Sequence, residues 1–160
     1  PDKLTWVTYT GLLGSDNLLD FGLQLARHLP IKRGEICALR CGDYDCGTAT
    51  LDVHRTVHRY HTPGTTQTAL IETAVDSRTI ALSADDTILL DTHLQRLSIA
   101  AGRLLTEDDY IYSRCVKVHD KDILQPIDPD YLSARCNKIC AQLQLHGVTL
   151  TTLYKSQGHN

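Results

Sequence analysis

Along this chain apolar positions first recur at helical spacing, then alternate, then return to helical spacing. Leu4 to Leu13 has mixed helical character. Ser15 can cap a helix running through Leu29, with Leu18, Leu19, Leu23, Leu25 and Ala26 crowding one side, and Pro30 stops it. Arg33 to Arg40 predicts a short helix that offers Ile36, Cys37, Leu39 and Cys41 for burial. Gly42 and Gly47 bracket a predicted turn. From Thr48 to Tyr60 the period falls to two, with Leu51, Val53 and Val57 among polar and β-branched neighbours. Thr62-Pro63-Gly64-Thr65 predicts a turn, and two further strands are expected near Thr68–Glu72 and Arg78–Leu82. Ser83 with Asp86 makes a capping box for a helix over Ala84–Ala101, closed by Gly102. Glu107 to Cys115 is expected as a connector with a short extended piece, Tyr110–Ser113. Asp128 caps and Pro129 opens a helix reaching about Leu145; Gly147 ends it, and Val148–Tyr154 begins a further element. The expectation is one α+β domain over residues 1–160, mainly helical with a small three-stranded antiparallel sheet.

Composition changes this picture little. With 42% hydrophobic and 22% charged residues the chain is of ordinary globular type, long enough for a proper core. No stretch approaches a bilayer-spanning length and Pro1–Trp6 is no signal peptide, so no membrane partner and a cytoplasmic setting are expected. The absence of Met suggests a processed or cut chain. The net charge of -3 supplies no global attraction to nucleic acid. Six cysteines raise the question of metal. Cys37/Cys41 and Cys136/Cys140 stand four apart in apolar-periodic segments, where small buried residues are usual. A metal reading would join one pair to Cys46 or to His54, His58 and His61, yet no CxxC occurs and the spacings fit no common zinc module.

Several strings carry a family resemblance. Lys32-Arg-Gly-Glu-Ile-Cys-Ala-Leu-Arg-Cys-Gly-Asp-Tyr-Asp45 resembles the first catalytic box of the tyrosine recombinases, or phage-type integrases. Gly47-Thr-Ala-Thr-Leu-Asp-Val-His-Arg-Thr-Val57 is similar to the first strand of that family's sheet, and Ser77-Arg-Thr-Ile-Ala-Leu82 to its third. Asp108–Ser113 and Pro129–Ser133 match connector and helix landmarks. Gly147-Val-Thr-Leu150 lies where the family has Val-Thr-Leu-His-Asp-Leu-Arg-His. The resemblance covers nearly the whole chain in order.

It implies DNA integration or site-specific recombination, by breakage and rejoining through a phosphotyrosine link. It also implies double-stranded DNA as partner, self-association on DNA, and no cofactor or metal. Such a site gathers negative charge in the transition state, which Arg forks stabilise best, with a Lys on the sheet hairpin as general acid. Carried over by position, the first family Arg falls on Lys32, with Arg33 beside it. The hairpin Lys falls near Glu72, a charge reversal. The second-box His falls on Thr151, the second Arg on Tyr154 and the following His on Lys155. The nucleophilic Tyr and a preceding core-binding domain are expected outside this stretch, so the chain is expected to be a partial, catalytically inactive domain. Tyr154 as a displaced nucleophile and His159 stand against the plainer reading of both as helix-end residues.

The expected phosphate-facing surface is the strip His54, Arg55, His58, Arg59 and His61. At period two Arg55 and Arg59 share a face with Val53 and Val57, and His54 shares the other with His58. Arg55, Arg59 and His58 are the candidate DNA-binding residues; a solvated face of an edge strand is the alternative. Arg40 and Arg78 are expected in ion pairs with Glu35, Asp43 or Asp45. Three functions compete: an inactive recombinase scaffold on DNA, a non-enzymatic protein-interaction remnant, and a small Cys/His metal protein.

Overall fold

The computed structural model describes residues 18–156; the expectations for Leu4–Leu13, Ser15 and His159 lie outside them. After a short 3-10 turn at Leu18–Asp20 come α1 (Phe21–His28) and α2 (Arg33–Ala38). Next are β1 (Tyr44–Asp45), β2 (Thr50–His61) and β3 (Thr68–Ala81), then α3 (Ala84–Ala101). A hairpin of β4 (Ser113–Val118) and β5 (Lys121–Pro126) precedes α4 (Pro129–Gln142) and α5 (Leu150–Ser156). The architecture is α+β, as expected, with one three-stranded antiparallel sheet in the order β1-β2-β3 and a separate two-stranded one.

Strand membership differs from expectation. The segments read as two strands, Thr68–Glu72 and Arg78–Leu82, are one continuous β3 paired with β2 from His61↔Thr68 to Thr50↔Ala81. Thr73–Ser77, which carried no strand expectation, joins the two: Thr73 and Ala74 pair with Thr56 and Arg55, and ladder bonds are made by backbone whatever the side chains. The register slips between Val53 and Arg55: Val53 faces Arg78 and Arg55 faces Ala74, leaving Val75–Ser77 opposite His54. That bulge keeps the ladder while twisting it. The third strand is Tyr44–Asp45, inside the predicted turn, paired with Thr50 and Leu51. Of the expected Glu107–Cys115 connector only Ser113–Cys115 enter a strand, where they begin the β4–β5 hairpin; most of that hairpin lies beyond it, where no strand was expected. Its loop holds His119 and Asp120 at φ of 50° and 61°, a two-residue turn made without the Gly that usually advertises it.

Caps behave as their chemistry dictates. Ser83 Oγ accepts from the Asp86 N–H while Asp86 Oδ2 accepts from the Ser83 N–H, each at 3.1 Å. Asp128 Oδ1 accepts from the Asp130 N–H at 2.9 Å, with Pro129 in the first helical position. Thr149 and Thr152 exchange side-chain bonds at the start of α5.

The core gathers Phe21, Leu23 and Leu25 of α1, Ile36 of α2, Leu51 and Val53 of β2, Leu90 of α3 and Leu132 and Ile139 of α4. His93 is buried there too, stacked on Phe21 at 3.6 Å between ring centroids, its Nε2 2.7 Å from the Ile111 carbonyl. Burial pushes its pKa down to about 4. What matters for the surface is how α2 meets β2. A Cβ on Gly34 would lie 2.4 Å from Thr56 Oγ1 and 2.6 Å from the Val57 carbonyl oxygen, so only glycine lets the helix start lie on the strand. Lys32 and Arg33 are thereby held beside β2. Among the described residues, no helix is long and apolar enough to cross a membrane.

Candidate nucleic-acid interface

Two adjoining clefts share Lys32 and Arg33. The first, about 520 Å³, is closed by Ser133 and Asn137 of α4 and by Thr149, Leu150, Thr151 and Tyr154 around α5. The second, about 440 Å³, runs along β2 past Thr56, His58, Arg59 and His61 to Pro129 and Asp130. Together they form a groove lined by Lys32, Arg33, Thr151, Tyr154, His58 and Arg59, six of the residues singled out by sequence.

Each cation in this groove already has a partner. Lys32 starts α2, its backbone N–H donating to Glu35 Oε1 at 2.9 Å, and its ammonium lies 5.4 Å from the centroid of the Tyr154 ring. Arg33 Nη1 donates to Ser133 Oγ at 2.7 Å and to Asp130 Oδ1 at 3.1 Å. Arg59 bonds Asp128 through Nη2, Thr68 Oγ1 through Nη1, and reaches Asp130 Oδ2 at 3.3 Å through Nε. The carboxylates of Asp128 and Asp130 thus face the basic strip, which no sequence signal announced. Asp128 was readable only as a helix cap, and Asp130 as part of a helix landmark.

Glu72 and Arg55 line neither cleft. Glu72 stands opposite Val57 on β3 and receives Arg40 at 2.8 Å and the Arg55 Nε at 3.4 Å. Arg55 also donates to Asp43 Oδ2 at 2.6 Å, and His54 Nε2 lies 2.7 Å from Asp43 Oδ1. Strict alternation puts His54 and Arg55 on opposite faces; beside the bulge they converge on one carboxylate. Arg55, Val57 and Arg59 share a face, paired with Ala74, Glu72 and Leu70.

The Arg78 expectation holds: its guanidinium grips Glu35 at 2.7 and 2.8 Å and the Pro30 carbonyl at 2.8 Å. Burial raises the Glu35 pKa, but the bond to Arg78 and the Lys32 N–H outweigh it and hold the carboxyl below its usual value. The Arg40 expectation is corrected. Its backbone N–H donates to Asp43, but its guanidinium pairs with Glu72 of β3 at 2.8 Å and with Asp108 at 3.9 Å.

Cys37, Cys136 and Cys140 are buried, and burial pushes the thiols of Cys37 and Cys136 up to about 12, which keeps them protonated. Among the described residues no group of three or more His, Cys, Asp or Glu is placed to hold a metal ion.

No family model matches this sequence, and no curated protein is similar to it in sequence. Solved structures are similar in fold. The Tn1549 transposon integrase in complex with transposon right end DNA superposes with a TM-score of 0.61 and 10% identity, over 88% of this chain and 46% of that one. The same integrase with a circular intermediate DNA gives 0.59 and 12%, over 84% and 42%. The XerA recombinase gives 0.56 and 15%, over 88% and 41%. The chain spans less than half the length of these neighbours. Over the matched part, their fold is the one described above.

Proposed function

We propose that this chain is a DNA-binding platform of the tyrosine recombinase type, acting in DNA integration or site-specific recombination without itself breaking DNA. The observation that carries the reading is the groove centred on Lys32 and Arg33. In a fold shared with integrases bound to DNA, it brings together Lys32, Arg33, Thr151 and Tyr154, four of the positions to which the family resemblance assigns phosphate handling, while Glu72 stands outside it. The lack of cleavage follows from their chemistry. A pentacoordinate phosphate needs fixed cationic forks at its non-bridging oxygens. Here Lys32 offers a point charge, Thr151 a hydroxyl and Tyr154 a ring, the Arg33 fork is engaged by Ser133 and Asp130, and Glu72 is tied to Arg40 and Arg55.

Fluorescence anisotropy with a random-sequence duplex across a salt series, paired with a denaturing gel of protein mixed with nicked duplex, tests both halves. Salt-sensitive binding without a covalent protein–DNA adduct is the expected result. An adduct would overturn the inactivity, and no binding at low salt would overturn the DNA reading. A second reading, a protein-interaction remnant, is favoured by the carboxylates that neutralise Arg33, Arg55 and Arg59. A stable dimer that ignores DNA would decide for it.

A further inference from the structure

Asp130 sits between two guanidinium groups from different elements, Arg33 of α2 at 3.1 Å and Arg59 of β2 at 3.3 Å. Asp128, two residues earlier, takes the other arm of Arg59. Two arginines converging on one oxyanion is the geometry with which proteins grip phosphate. Asp130 is 55% exposed, so the grip is open to solvent and worth little to stability. The side chains are built as a clamp, and the anion in it is weakly held.

We propose that the Asp130 carboxylate occupies, between Arg33 and Arg59, the place of a DNA backbone phosphate, and that Asp128 and Asp130 act as an autoinhibitory latch on the groove. The inference rests on the DNA-binding reading above. The latch is ionic only: DNA phosphates displace the carboxylates, and the arginines change partners with no covalent step. Because Asp128 and Asp130 belong to the first turn of α4, the latch moves only as its side chains swing or that turn shifts. The chain's net charge of -3 is then no bar to binding, since the local charge of the groove changes when the carboxylates leave it.

The test compares the wild type, Asp128→Asn/Asp130→Asn, and the same pair combined with Arg33→Ala and Arg59→Ala, by anisotropy with a fluorescein-labelled random-sequence duplex. Asparagine keeps the cap at position 128, so the helix start is preserved, and thermal melting checks it. Asp120→Asn/Asp122→Asn, on the exposed β4–β5 hairpin, makes the same charge change away from the groove. The latch predicts about tenfold tighter low-salt binding for the Asp128/Asp130 pair, with a log–log salt slope about two units steeper. The gain should vanish without the two arginines and be absent from the hairpin control. Equal binding by wild type and variant would overturn the latch and leave the DNA reading standing. A gain shared by the hairpin control, or one surviving loss of the arginines, would overturn it too. No binding by any variant would overturn both.

Discussion

The ammonium of Lys32 lies 5.4 Å from the centre of the Tyr154 ring, joining residues from opposite ends of the described chain across one cleft. Both stand where the family resemblance puts an arginine, and here a cation faces an aromatic ring. Lys32→Ala should weaken low-salt duplex binding about threefold, with the deficit shrinking as salt rises because the log–log salt slope becomes about one unit shallower, and with melting unchanged. An unaltered slope would place the DNA elsewhere.

Glu72 gathers Arg40 and Arg55 on the sheet. Glu72→Lys, which restores the residue type that the resemblance puts there, should destabilise the fold rather than create a catalytic acid. It would set three cations together and leave Arg40 with the Tyr110 ring and the distant, exposed Asp108. A loss on the order of 1–3 kcal/mol in urea unfolding is expected. A stability equal to wild type would show that the cluster is slack.

Gly34 sets the distance between α2 and β2. Gly34→Ala must push against the Val57 carbonyl, and backbone yields less readily than the Thr56 hydroxyl. Overpacking of this kind costs roughly 1–3 kcal/mol. The melting temperature should fall, and Thr56→Ala in the same chain should restore only part of it. Full rescue would mean that the carbonyl contact is harmless.

His93 titrates against the fold. Its folded pKa, about 4, lies below the ordinary value of 6.5, so protonation favours the unfolded chain. Its contribution is fully present above about pH 6.5 and is lost as pH falls toward 4. The urea midpoint should therefore drop more between pH 6.5 and 4 in the wild type than in His93→Gln. Parallel curves would refute a buried neutral imidazole.

Thiol reactivity follows burial. Cys46 is exposed, whereas Cys37 and Cys136 are buried with pKa values near 12. Mass spectrometry after brief iodoacetamide treatment at pH 8 should find Cys46 modified first and the other two only after denaturation. Early labelling of Cys37 would contradict its place in the core.

The sequence by itself determined what local chemistry decides. Ser83 with Asp86, Asp128 with Pro129, and Pro63-Gly64 marked helix starts and a turn that the structure reproduces, because each signal and its effect lie within a few residues. The order of the helices from α1 to α4 was legible for the same reason. Tertiary structure alone decided which strands are one strand, since β3 runs on through Thr73–Ser77 by pairing with β2, and which face a side chain takes beside a bulge. It also decided where the charges go. Arg33 and Arg59 meet Asp130 only because Gly34 lets α2 lie on β2 and α4 begins at the same edge. Ion pairs are set by distance in space, which spacing along the chain does not encode.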